Sequence, residues 1–332
     1  MAYFGAASWP LVRAYAAFAE ASITSSALTW MIAVALLSLS PAVAWSQDRT
    51  AAAWRIPFAL AIGVLPPLGL IGWASPVASA GVLFPGTAWL GLAAVIIAPG
   101  LILLGRPRIW IAIAAASLLS VCFTKPVPAP SAWAAVETNL TPGARFEGAD
   151  ELFASERAQR IVFDSRAGVT ILPETVISRW TEATEAFWEP TLAELHRQHR
   201  LAVIGAGVAI PDSPAYENAA IIIGGEKPKA FFQRVPVPVG MWRPFSNGPS
   251  VPLRLGRPGT IEVAGQRVAF LICYEQLLVL PVLLSAIDHP TLIVGMANQY
   301  WVRDTNIPAA QRASLLAWSR LFALPLLIAE NK

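Results

Sequence analysis

Charge is what this chain has least of. Asp, Glu, Lys and Arg make up 14% of its 332 residues, against 55% hydrophobic, a balance that excludes an ordinary soluble globule. The net charge of +3 comes without any basic run, which removes the electrostatic footprint expected of direct nucleic-acid binding. Cysteine is nearly absent too. Cys122 lies in an apolar stretch and Cys273 far downstream, so no disulfide framework is expected and Cys273 reads as a free thiol. The three histidines, His196, His199 and His289, share no ligand spacing with a cysteine or an acidic cluster, so neither a metal nor another cofactor is expected. Gly205-Ala206-Gly207-Val208 lacks the remaining glycine and the helix start of a nucleotide fingerprint. Repeats and low-complexity tracts are missing as well.

What the chain does have is long apolar runs, all in its first 124 positions. A helix needs ~20 apolar residues to cross the hydrocarbon core. Residues 27–45, 56–73, 81–104 and 109–123 are candidates, which predicts about four transmembrane helices over 27–124. Prolines at 41, 57, 66, 67 and 85 are tolerable in membrane helices. Trp30, Trp45, Trp54, Trp73, Trp89 and Trp110 sit mainly near the ends of the runs, as an interfacial belt requires. A cleaved signal peptide does not explain successive runs of this kind. Residues 1–26 carry Arg13 and Glu20 with helical spacing of Leu11, Tyr15 and Phe18, and predict an interfacial amphipathic helix. Arg49 and Arg55 mark one loop and Arg106 and Arg108 another, which puts both in the cytoplasm by the positive-inside rule. The expectation is a multi-pass protein of a bacterial inner membrane whose C-terminal domain is periplasmic.

A Pro-rich linker at 125–135 then leads into a second domain at 136–332. Strands are expected at 169–172, 201–205, 219–223, 260–263, 268–272, 291–294 and 325–329, and helices at 183–198, broken or kinked at Pro190, and 309–321. This alternation predicts a layered α/β domain. Within it, Phe270-Leu271-Ile272-Cys273-Tyr274-Glu275 ends a strand-like run on a thiol, which is how a strand delivers a nucleophile. Upstream, another strand-like run stops at Pro173-Glu174, which places a carboxylate where it can serve as general base.

Pro173-Glu174 and Cys273-Tyr274-Glu275 resemble the nitrilase, or carbon-nitrogen hydrolase, superfamily, and above all its membrane-bound apolipoprotein N-acyltransferases. The overall pattern looks most like the conjugal-transfer TraB family of plasmids. The resemblance implies an αββα sandwich and a Glu-Lys-Cys triad with Glu174 as base and Cys273 as nucleophile. Glu275 is implied to support the pocket, and Tyr274, Asn298 and Met241 to fall at substrate-binding positions. Two departures stand out. Five residues before Pro238, where that family has its lysine, this chain has Gln233, with Arg234 beside it, and Met241 replaces a further Glu. Lys229 shares Gln233's parity but lies too far along an ideal strand. Either Arg234 turns inward to supply the missing charge and depress the Cys273 pKa, or the site is impaired.

The expected activity is therefore Cys-dependent amide hydrolysis or acyl transfer in conjugal transfer. The alternatives are a catalytically impaired scaffold or binding module of the transfer machinery, and an apolipoprotein N-acyltransferase proper. The expected partners are the bilayer, an acyl lipid or membrane-proximal amide, and the conjugation machinery. The resemblance also implies a C-terminus shorter than the family's.

Overall fold

The computed structural model describes residues 1–140 and 149–332. Its N-terminal half is helical: α1 (Ala2–Ser8), α2 (Leu11–Ala19), α3 (Ile23–Ala44), α4 (Arg49–Ile62), the short α5 (Ala80–Leu83), α6 (Trp89–Leu103) and α7 (Pro107–Phe123). Only α3, among the described residues, is both long and apolar enough to cross a membrane, with a mean hydropathy of 1.9 over its best window. At ~1.5 Å per residue, α6 and α7 fall short of the ~30 Å hydrocarbon core. The run expected to be one span at 56–73 is not one helix. α4 stops at Ile62, and Gly63, Pro66 and Pro67 follow, where a proline pair removes two amide donors and crowds the preceding turn. The expected interfacial helix is two short helices, α1 and α2, both packed on α3.

The remaining elements are β1 (Trp133–Ala135), α8 (Ala149–Asp164), β2 (Val169–Ile171), β3 (Ile177–Trp180), α9 (Glu182–Arg197), β4 (Leu201–Ala209), β5 (Tyr216–Ile223), β6 (Lys229–Phe232), β7 (Ile261–Val263), β8 (Gln266–Ile272), α10 (Val279–Ile287), β9 (Leu292–Asn298), α11 (Ile307–Phe322) and β10 (Leu326–Asn331). Because β1 begins at Trp133, the end of the Pro-rich segment is already a strand. Pro190 lies inside α9, which runs on without a break.

The chain divides into two compact units. One comprises Met1–Val127, Leu277–Leu283 and Asp304–Pro325, and the other Pro128–Gln276, Leu284–Arg303 and Leu326–Lys332. Helix α11 therefore belongs with the N-terminal helices by its contacts, although its sequence lies in the C-terminal half. It packs against α5 so closely that a Cβ on Gly81 would meet the Ala317 carbonyl oxygen at 1.8 Å.

The second unit is built on two sheets. The first runs β1-β2-β4-β5-β6 with β3 also paired to β4, and the second runs β10-β9-β8-β7. β1, β2 and β4 are parallel neighbours, β4 to β6 form an antiparallel meander, and β8, β9 and β10 are parallel. Between β7 and β8, Ala264 and Gly265 both have positive φ, the backbone that a two-residue hairpin turn matching strand twist requires. The sheets share one core. Ile171, Val203, Ala220, Ile222 and Phe231 of the first meet Val268, Phe270, Ile272, Val294 and Met296 of the second. On the other face of the first sheet, Ala158 and Val162 of α8 and Trp188 and Leu195 of α9 cover Ala202, Ile204, Ala219 and Ile221. This period-two split of β4 and β5 residues between two cores is what an internal sheet buried on both faces demands.

Candidate active site

Four strand ends converge at one rim of the sandwich. Glu174 follows β2, Gln233 follows β6, Cys273 follows β8, and Asn298 is the last residue of β9. Three of these strands run in parallel pairings, and the rim beyond their carboxyl ends is where α/β sheets place their ligands.

Cys273 has φ +54°, a left-handed conformation that a non-glycine residue holds only when its surroundings enforce it. The turn swings the chain from β8 into a short 3₁₀ stretch, Cys273–Leu277, and leaves Cys273 partly buried while the strand end behind it is fully so. The thiol is hydrogen-bonded to the Glu174 carboxyl. Burial pushes the Cys273 pKa well up, and the facing carboxylate adds to the rise. The Tyr274 backbone N–H works in the opposite direction.

Glu174 is 4% exposed. Its Oε1 accepts from Asn218 Nδ2 at 2.7 Å and its Oε2 from the Asn298 backbone N–H at 2.9 Å. Desolvation still raises its pKa, because these two donors and the thiol offset the burial only in part. The carboxylate reaches this depth because of a glycine. A Cβ on Gly205 of β4 would lie 2.2 Å from the Pro173 carbonyl oxygen and 2.5 Å from Glu174 Cα.

Gln233 is fully buried and turned into the site. Its Nε2 donates to the carbonyl oxygen of Ile272, the residue before Cys273, at 3.0 Å, and its Oε1 accepts from Asn218 Nδ2 at 3.1 Å. Arg234 takes the opposite direction, as successive residues of an extended segment must. Its guanidinium lies 3.5 Å from Glu275 Oε1, donates to Ser285 Oγ at 3.0 Å and sits 5.5 Å from the Phe231 ring centre. Arg234 is therefore not the inward-facing replacement for a lysine.

Glu275 is fully committed to structure. Its Oε1 accepts from the backbone N–H groups of Arg234 and Val235 at 2.9 and 3.2 Å, and its Oε2 from Ile272 at 3.1 Å. It thereby ties the Gln233 segment to the Cys273 turn. Desolvation raises its pKa, against the pull of Arg234 and those amides.

Searched against known proteins, the chain matches no protein-family model. It is 32% identical over 99% of its length to a probable conjugal transfer protein TraB from Sinorhizobium fredii, covering 86% of that protein. It is 33% identical, again over 99% of its length, to conjugal transfer protein TraB from Agrobacterium fabrum, covering 81% of it. The chain belongs to the conjugal transfer protein TraB family. Among solved structures it is similar to an amidase from Nesterenkonia sp. AN1 carrying the acetamide moiety of fluoroacetamide on its active-site cysteine. That match has 15% identity and a TM-score of 0.42, over 60% of this chain and 73% of that one. A carbon-nitrogen hydrolase from Helicobacter pylori G27 matches at 12% identity and a TM-score of 0.41, over 56% of this chain and 70% of that one.

In this TraB-family chain the other expected site residues separate. Asn298 contributes its backbone N–H to Glu174, while its side-chain oxygen accepts from Asn331 Nδ2 at 3.2 Å and is turned to the support of the rim. Tyr274 is buried and contributes its backbone N–H to the thiol, with its phenol pKa raised by burial. Met241 closes a turn, donating its backbone N–H to the Val237 carbonyl at 2.8 Å. Lys229 is exposed on β6. Of the two alternatives for Cys273, the one with a pKa depressed by Arg234 does not hold: burial and the Glu174 carboxylate raise it, and the Arg234 guanidinium faces Glu275. Sequence reading missed Asn218 and Tyr216. Asn218 lies on β5 in register with Ala220 and Ile222, so a polar residue on an inward apolar face was the available signal. Tyr216 is partly buried, which raises its phenol pKa, and Glu174 and Cys273 add to the rise.

Proposed function

We propose that this TraB-family protein is a membrane-bound, Cys-dependent amidase or acyltransferase of the nitrilase type that serves plasmid conjugal transfer. The observation that carries the reading is the hydrogen bond between Glu174 and Cys273, held at the meeting of two strand ends with the nucleophile on a strained turn. In the reaction Glu174 accepts the thiol proton, Cys273 Sγ bonds to the carbonyl carbon, and the leaving amine takes its proton back from Glu174. The Tyr274 N–H, which already reaches the thiol, is a donor that can turn to the developing oxyanion. Water or an acceptor amine then releases the acyl group from the sulfur.

Helix α3, long and apolar enough to cross a membrane, and the large apolar side chains exposed in the N-terminal region, among them Met31, Leu36, Trp45, Phe58, Leu90 and Leu119, support the reading of a multi-pass protein of the inner membrane. They favour an acyl lipid or a membrane-proximal amide as substrate and the transfer machinery as partner. A second reading has one specific observation in its favour: with a neutral Gln233 the site lacks a side-chain ammonium, as a binding module on a retired catalytic scaffold would. Both departures, Gln233 and Met241, weigh against an apolipoprotein N-acyltransferase proper.

Transfer frequency separates enzyme from scaffold. Cys273→Ser and Glu174→Gln keep the shape of the site but remove nucleophile and base. At normal membrane abundance an enzyme loses transfer in both variants, to the level of a gene deletion, and a scaffold keeps it.

A further inference from the structure

The orientation of two buried amides leaves one acceptor open on the residue that holds the Glu174 carboxylate. Gln233 Nε2 must face the Ile272 carbonyl, so its Oε1 must face Asn218. That fixes Asn218 in turn, with Nδ2 toward both Gln233 Oε1 and Glu174 Oε1, and both of its hydrogens are committed. Asn218 Oδ1, on a residue 2% exposed, is left buried with no hydrogen-bond partner among the described residues. Such an oxygen costs ~1–3 kcal/mol unless something donates to it.

It shares this corner with a carboxylate whose donors among the described residues are neutral: Asn218 Nδ2, the Asn298 N–H and the Cys273 thiol. Arg234, the cation next in sequence, is held on Glu275 and Ser285. An open carbonyl oxygen and an anion without a cation together are acceptors for a charged group bearing several N–H donors. Water answers only the first.

We infer that the corner formed by Glu174, Asn218 and Gln233 takes an ammonium group, the protonated amine end of a substrate. This group supplies a positive charge beside Glu174 that neither Gln233 nor Arg234 brings there. The inference rests on the catalytic reading above and names its substrate class: acyl compounds or acceptors that carry a primary amine near the reacting carbonyl. It also gives the replacement of lysine by Gln233 a role, since Gln233 turns Asn218 Oδ1 free.

The test reads alkylation of Cys273 by iodoacetamide in the full-length Cys122→Ser protein, at fixed pH. Ammonium, methylammonium and tetramethylammonium chlorides are compared at equal concentration. An opposite charge near a thiol lowers its pKa by one unit or more, so ammonium and methylammonium should speed labelling roughly tenfold over tetramethylammonium, and saturably. Gln233→Lys should label fast in all three salts. Equal wild-type rates in the three salts overturn the inference and mark the corner as a water site. A response to ammonium without methylammonium overturns it in favour of a free ion. If Gln233→Lys labels fast while the wild type ignores ammonium, only the amine inference fails. If Gln233→Lys is also slow, the catalytic reading of the site fails with it.

Discussion

At the scale of single residues, one substitution sets the character of the site. Gln233 keeps the hydrogen-bonded connection between Glu174, through Asn218, and the turn that carries Cys273, through Ile272. It supplies no charge, so burial and the facing carboxylate push the Cys273 thiol up against the Tyr274 backbone N–H. The sign of the pH dependence follows. The thiolate is the nucleophile, and a raised pKa shrinks its fraction at neutral pH, whereas an unperturbed thiol titrates near ~8.5. In buffer free of amines, the Cys273 alkylation rate should keep climbing through pH 9. A plateau below pH 8 would contradict the arrangement. The sequence made Cys273 and Glu174 legible because each follows an apolar strand. It left the direction of Arg234 open, because parity permits either neighbour to face the thiol and only the amide bonds of Glu275 settle which one does.

At the scale of elements, strand ends decide the site, and the strands were the most legible part of the chain. The cores of β2, β4, β5 and β7 to β10 are apolar runs bounded by turn residues. β3 and β6, each of four residues, and α10 carried too short a pattern to read. The two glycines of β4, which fail as a nucleotide fingerprint, have a packing role. Cβ atoms at Gly205 and Gly207 would lie 2.2 Å from the Pro173 and 2.5 Å from the Ser178 carbonyl oxygens, so both let the 173–178 segment close on the strand. Gly205→Ala should therefore lower stability by ~1–3 kcal/mol in a denaturant titration and slow acylation by displacing Glu174. An unchanged midpoint with full activity would refute this role.

At the scale of the whole molecule, hydropathy announced an apolar N-terminal half but not its segmentation. Composition cannot show that Pro66 and Pro67 end a run, or that α11 has its contacts with the N-terminal helices. The proposed topology makes an expectation of its own. A reporter active only in the periplasm should work when fused after Ser131 and fail after Arg106, and the reverse pattern would place the catalytic unit in the cytoplasm. The central claim, that Cys273 is a nucleophile served by Glu174, is tested most directly by trapping an acyl group on the sulfur. Purified full-length protein treated with p-nitrophenyl acetate should gain one acetyl group mapped to Cys273 with release of p-nitrophenolate. The gain should vanish in Cys273→Ala and slow at least roughly a hundredfold in Glu174→Gln, the lower range for loss of a general base. Acetylation that falls on Cys122 alone, or that proceeds at Cys273 equally well without Glu174, would contradict the account.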